Sequence, residues 1–130
     1  MAMSNYLATA MLNNTYRGVN FTPPSTVYVA LFTAAPNDAG GGTECAGTDY
    51  ARQSAAFSAP AGDPLAVENS AQIDFDDDSD GTYGTLTHFA TFDAVTGGNM
   101  LDHGALTTEK TPNAGDPVYF AAGELSISRA

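Results

Sequence analysis

The chain reads as mainly β: an antiparallel β-sandwich or jelly roll of about seven to eight short strands, with one short N-terminal helix. Three observations carry that reading. Apolar and β-branched residues alternate with a period of two in several short runs. Clusters of Gly, Pro and Asp punctuate those runs at close intervals. Helical spacing of apolar residues is confined to the N-terminus. A chain of 130 residues is one domain by size, and 43% hydrophobic residues supply a core. The expected organisation is a single sandwich domain over 1–130, divided into a helix and extended arm (1–24) and the sandwich proper (25–130).

Each element has its own warrant. Ser4-Asn5 can cap a helix running through Tyr6–Leu12, where Leu7, Met11 and Ala10 share one face and Asn13-Asn14 weaken its end. So short a helix needs a sheet or a neighbouring subunit to pack on. Pro23-Pro24 hold the following connector extended and withhold donors from any ladder. Thr26–Thr33 is the strongest strand. Val27, Val29 and Leu31 share one face and Tyr28, Ala30 and Phe32 the other, so both faces are apolar and the strand is expected at the centre, covered on both sides.

Ala34–Gly47 reads as a long flexible loop with three successive glycines, Gly40–Gly42. Tyr50–Phe57 resumes strand character, and Ala59–Pro64 breaks it. Leu65–Phe75 is two short strands, or one with an irregularity near Asn69. Thr82–Leu106 is expected to be a β-hairpin, with Leu86, Ala90 and Phe92 on one face and Thr85, Thr87 and Thr91 on the other. Gly97, Gly98 and Asn99 tolerate the positive φ its turn needs, and Gly104 allows a bulge. After a loop at Thr108–Pro117, Val118–Ala121 and Glu124–Ser128 are expected to pair with each other around Ala122-Gly123.

The net charge of −11 sets 15 acids against four bases, Arg17, Arg52, Lys110 and Arg129. No basic stripe is left for phosphates, so nucleic acid is not an expected partner. Cys45 is alone, which rules out an intrachain disulfide. No secretory leader is evident, and no apolar run approaches the ~20 residues of a membrane helix, so the expectation is a chain made in a cytoplasm with no membrane partner.

Catalytic and metal chemistry find little footing. Asp76–Gly81 opens like a calcium loop, with oxygens at alternate positions and a Gly for the turn. Its twelfth position is Thr87 where a bidentate Glu is needed, so a solvated acidic turn is expected. His88 and His103 could face each other across the hairpin with Asp93 and Asp102 nearby, a set able to hold a metal or move a proton. His88 stands inside a strand and His103 before a bend, so both read as structural residues. Cys45 has no His beside it in sequence, and no nucleophile elbow, phosphate loop or dinucleotide fingerprint occurs. No enzyme activity, cofactor or metal is expected.

Met3–Asn13, followed by Phe21–Thr33, resembles the start of a family of small tailed-phage virion structural proteins, both tail-fibre-like and capsid-decorating. The resemblance continues through Tyr50–Arg52, Thr87–Asp93, Thr96–Asn99 and Gly104–Leu106, and closes at Phe120–Leu125. It implies a β-rich virion component without cofactor. The expected role is a capsid cement (decoration) protein, a trimer or dimer on the outside of the major capsid protein shell. A tail-tip or tail-fibre-associated protein is the competing assignment. Cement acts by adding interface at subunit seams and needs no chemistry. The candidate contact residues are Tyr6, Leu7, Met11, Leu12, Tyr16, Phe21, Pro23 and Pro24, since aromatic residues dominate interface energetics and prolines lower the ordering cost. The loop Ala39–Gly47 is a second candidate contact.

Overall fold

In a computed structural model, which describes residues 1–129, the chain forms ten strands and one helix. In order these are β1 (Ala2–Met3), α1 (Asn5–Arg17), β2 (Val27–Ala34), β3 (Thr43–Glu44), β4 (Gln53–Ala55), β5 (Leu65–Glu68), β6 (Ile73–Asp76), β7 (Leu86–Phe92), β8 (Met100–Lys110), β9 (Val118–Phe120) and β10 (Ser126–Arg129). The architecture is mainly β and antiparallel with one short helix. The strand count exceeds the expectation because β1 and β3 are two-residue pairings that periodicity cannot reveal.

Strand β2 lies inside a six-stranded sheet ordered β1-β8-β7-β2-β3, with β4 also on β2. One edge of β2 pairs with β7 from Tyr28↔Phe92 to Phe32↔His88. Its other edge is shared, with β4 along Val27–Val29 and β3 near Phe32–Ala34. Both faces are covered, as its two-sided apolar pattern requires. Val29 and Leu31 enter a core with Cys45, Ile73, Phe75, Tyr83, Leu86, Phe89, Val118 and Leu125. On the opposite face, Ala30 and Phe32 form a smaller cluster with Ala90, Phe92 and Met100.

The β7–β8 hairpin follows the turn chemistry and departs from the expected facing. Gly97 and Gly98 take φ of 60° and 70°. Asn99 is not in that region. It closes the loop instead by donating its backbone N–H and Nδ2 to the Asp93 carboxylate, at 2.7 and 3.0 Å. Leu86 does not share a face with Ala90 and Phe92. The register slips between Leu86↔Lys110 and His88↔Ala105, so Leu86 joins Phe89 in the larger core while Ala90 and Phe92 enter the smaller one. A bulge reverses the alternation, and a strict period of two misplaces every residue beyond it. Gly104 is not at that bulge: it pairs with Phe89, and a Cβ there would sit 3.1 Å from the Phe89 ring. The second strand also runs on to Lys110, into the stretch expected to be loop.

The remaining four strands form two separate two-stranded sheets and differ from the expected terminal hairpin. β9 pairs with β6 and β10 with β5, so Val118–Phe120 and Ser126–Arg129 do not pair with each other. Asn69, fully buried in the break between β5 and β6, explains the arrangement. Its Nδ2 donates to the carbonyls of Ala71 and Ala121 at 2.9 Å each, and its Oδ1 accepts the Leu125 N–H at 2.9 Å. Its backbone accepts from Gly123 N–H and donates to Leu125. One side chain thus satisfies backbone groups of both interruptions and ties the β5–β6 break to the β9–β10 turn. At the far end, Arg129 Nη2 donates to Oδ2 of the buried Asp102 at 3.0 Å, and its Nη1 lies 2.9 Å from Oδ1.

Helix α1 extends a turn beyond Asn13-Asn14, because both amides find local partners. Arg17 donates to Asn13 Oδ1 at 3.0 Å, and Asn14 Nδ2 donates to the Val19 carbonyl at 3.2 Å. Gly18 ends the helix at φ 66°, a left-handed conformation that glycine adopts without cost. Ser4 caps the start by accepting the Leu7 N–H at 3.1 Å. The same residue ties the helix to β8, since Ser4 Oγ donates to the Met100 carbonyl and Ser4 N–H to that of Leu101.

Replacing Asn69 with Ala should therefore cost about 3 kcal/mol or more, since several buried donors and acceptors lose their partner together. Urea unfolding of Asn69→Ala against the parent measures this, with Asn99→Ala in the exposed turn as the milder control.

Candidate functional site

The residues expected to make contacts divide sharply by their position on α1 and its arm. Leu7 faces the protein and is buried. Met11, Phe21 and Pro24 are half-buried, and Pro23 is exposed. Tyr6, Leu12 and Tyr16 are 42%, 60% and 80% exposed, with Val19 at 47%. The arm does not project from the body. It folds back so that Val19, Asn20 and Phe21 line a shallow groove with Tyr6, Ala10 and Asn13 of the helix. The helix and arm thus form one continuous surface on which Tyr6, Leu12, Tyr16 and Val19 stand exposed, with Arg17 its one charged side chain.

The stretch of chain that builds this surface has a charge signature, and Asp38 meets it in space, its carbonyl accepting the Asn5 N–H at 2.7 Å. Residues 1–37 contain no Asp or Glu, and their one basic side chain is Arg17. The first acid is Asp38, so all 15 acids lie in the remainder. That signal is present in the sequence and is hidden by the overall net charge.

Beside the helix lies an ion-pair hub that motif spacing did not single out. Arg52 binds Glu44 through two hydrogen bonds of 2.9 Å, from Nε and Nη2. Its guanidinium lies 3.6 Å over the Phe92 ring, and Nη1 donates to the carbonyls of Ala94 and Gly97. Tyr50 donates to Glu44 at 2.7 Å and accepts the Leu31 N–H. Burial by itself would raise the Glu44 carboxyl. The hydrogen bonds from Arg52 and Tyr50, with the Arg52 charge, outweigh it and hold the group below its ordinary value. Burial and the Glu44 carboxylate push the Tyr50 hydroxyl well up. Every strong group here already has a partner, so the hub clamps the hairpin turn onto β2 and β7.

The other candidate sites are dispersed. His103 Nε2 lies 2.8 Å from Asp38 Oδ1, and His88 Nδ1 lies 2.8 Å from Thr87 Oγ1. Asp102 is held by Arg129 and Asp93 by Asn99, so these four residues do not converge. In the acidic turn, Asp76 accepts the Asp78 N–H and Asp80 accepts from Thr82. Ser79 is fully buried and donates to the Asn113 carbonyl, which knits the turn to a neighbouring loop. Asp77, Asp78 and Asp80 are exposed, while Asp76 is half-buried. Among the described residues, no group of three or more His, Cys, Asp or Glu is placed to hold a metal ion. Cys45 is buried, and burial pushes its thiol up, away from the reactive thiolate.

A family model described as podophage GP4 fiber I protein gp80 matches residues 2–128. That span takes in the helix, both layers of the sandwich and the clamped turn. No curated protein matches the chain.

The Glu44 hub has a pH consequence. A carboxyl held below its ordinary value of 4.5 contributes stability that is present above pH 4.5 and is lost as pH falls through its folded-state value. Glu44→Gln should be less stable than the parent at pH 7, and the gap should narrow below pH 4.5. Thermal melts of both proteins from neutral to acidic pH read the difference directly.

Proposed function

Since the chain belongs to the podophage GP4 fiber I protein gp80 family and is a virion structural protein of a tailed phage, we propose that it is a building block of a virion fibre. It works by contact and not by catalysis, and it assembles as a homo-oligomer. The observation that carries this reading is the match over residues 2–128, which spans the sandwich together with its exposed helix and arm. The geometry supports the same role. The sandwich is a rigid body whose buried polar groups are committed to one another, and Tyr6, Leu12, Tyr16, Phe21 and Pro23 stand on one connected surface beside it. Large aromatic and apolar residues that are exposed together are the usual anchors of a protein interface.

A second reading, the capsid cement that grips the major capsid protein shell, is favoured by the acidity of residues 38–130, which suits basic patches on a shell. The two roles differ in place and in number of copies.

Gold-labelled antibody on intact virions is expected to mark projecting fibres at a few copies each. Label spread over the head would favour the cement role instead. Deleting residues 1–24 is a poor test, because it removes Ser4 and Leu7 as well as the exposed residues. Tyr16→Asp with Leu12→Asp leaves those supports in place and should abolish incorporation into virions while the isolated protein keeps its melting temperature.

A further inference from the structure

Strands β5 and β10 stand apart from the six-stranded sheet. As strands they pair with each other alone, from Ser126↔Glu68 to Arg129↔Leu65, and a bridge at Ala61↔Ala66 folds the preceding turn back onto β5. Alternation puts Leu65, Val67, Ile127 and Arg129 on one face of this ribbon. Its apolar side chains join neither buried cluster: Val67 and Ile127 are half-buried, and Leu65 is 57% exposed. With Pro60 and Arg129 they border an open cleft of about 290 Å³.

The two ends of the ribbon are held by different means. At its root, Asn69 and Leu125 are buried and bonded to each other through backbone and side chain. At its tip, the Arg129 guanidinium meets both oxygens of Asp102 on β8, at 3.0 and 2.9 Å. The Asp102 side chain is 6% exposed, and Thr91 Oγ1 accepts its backbone N–H, so it is fixed in the main sheet. Among the described residues, no other group hydrogen-bonds this carboxylate. The Arg129 side chain is 44% exposed, so water reaches the cationic half of the pair and not the anionic half.

We propose that the β5–β10 ribbon is a strap that opens from its tip as one unit, hinged at Asn69 and Leu125 and kept shut by the Arg129–Asp102 pair. Segments with few buried apolar contacts are the ones that open locally before a protein unfolds. That describes β5 and β10, and it does not describe β2 and β7. The latch draws its strength from Asp102, because a buried carboxylate deprived of its cation is far more costly than an exposed pair is stabilising. Opening frees the β5 backbone and uncovers Asp102 while the main sheet stays intact.

Amide hydrogen exchange on the full chain, read residue by residue by NMR, tests this. In the parent, the bonded amides of β5 and β10 should exchange about ten-fold or more faster than those of β2 and β7, with Asn69 and Leu125 remaining slow. Arg129→Gln should speed β5 and β10 about ten-fold further and leave β2 and β7 unchanged, because the closed strap then buries Asp102 without a cation. Adding Asp102→Asn to Arg129→Gln removes that charge and should slow the ribbon again. Ribbon amides as slow in the parent as those of β2, an Arg129→Gln effect spread evenly over all the sheets, or no recovery in the double variant would each overturn the strap. If Arg129→Gln does not fold, the parent pattern and Arg129→Lys decide the matter. Lysine keeps the charge and loses the two-pronged contact, so the ribbon alone should exchange several-fold faster.

Discussion

Between Val29 and Phe32, strand β2 has no face that water can reach, and most of the architecture follows from that constraint. A strand apolar on both faces requires two separate covers. The larger comes from the β6–β9 pair and the turn before β10, which bring Ile73, Phe75, Val118 and Leu125 down onto Val29 and Leu31. The smaller is local: Arg52 lies over Phe92, and α1 runs beside β8. The two edges of β2 must be paired as well, and β7 takes one while β3 and β4 share the other. The helix is anchored through Ser4 to carbonyls of β8, so its exposed side is held at a fixed place on the sheet.

What was legible in the sequence is what depends on neighbours along the chain. The two-sided pattern of Val27–Phe32, the Ser4 cap and the glycines of the hairpin turn are local signals, and the structure uses them as read. The facing of Leu86 was not legible, because the break in alternation between Leu86 and His88 accompanies a register slip against β8 and no residue type between them signals it. The pairing of β9 with β6 was also out of reach. It depends on Asn69 meeting Ala121 and Leu125, contacts made across more than fifty positions of sequence. The candidate surface was partly readable. Composition put Tyr16 and Leu12 forward as candidate contacts, but only the fold shows that they are exposed, that the arm turns back beside the helix and that Leu7 belongs to the interior. The Arg52–Glu44 clamp has no sequence motif, since its value comes from Phe92 and the turn carbonyls that it reaches.

The clasp at Asn69 also bears on the order in which the protein can fold. Residues 65–76 have their partners in residues 118–129, and until those arrive the Asn69 amide has nothing to bind and Ile73 and Phe75 lack their cover. Pairings so distant in sequence make a slow nucleus, because loop closure comes before any contact repays it. The hairpin β7–β8 joins nearer residues and can form first, while its pairing with β2, from Tyr28↔Phe92 to Phe32↔His88, closes as much chain as the distant pairs do. Closure then waits for the final dozen residues. A chain interrupted before Val118 would be left with a bare apolar face, a substrate for proteases and chaperones and not a usable virion part.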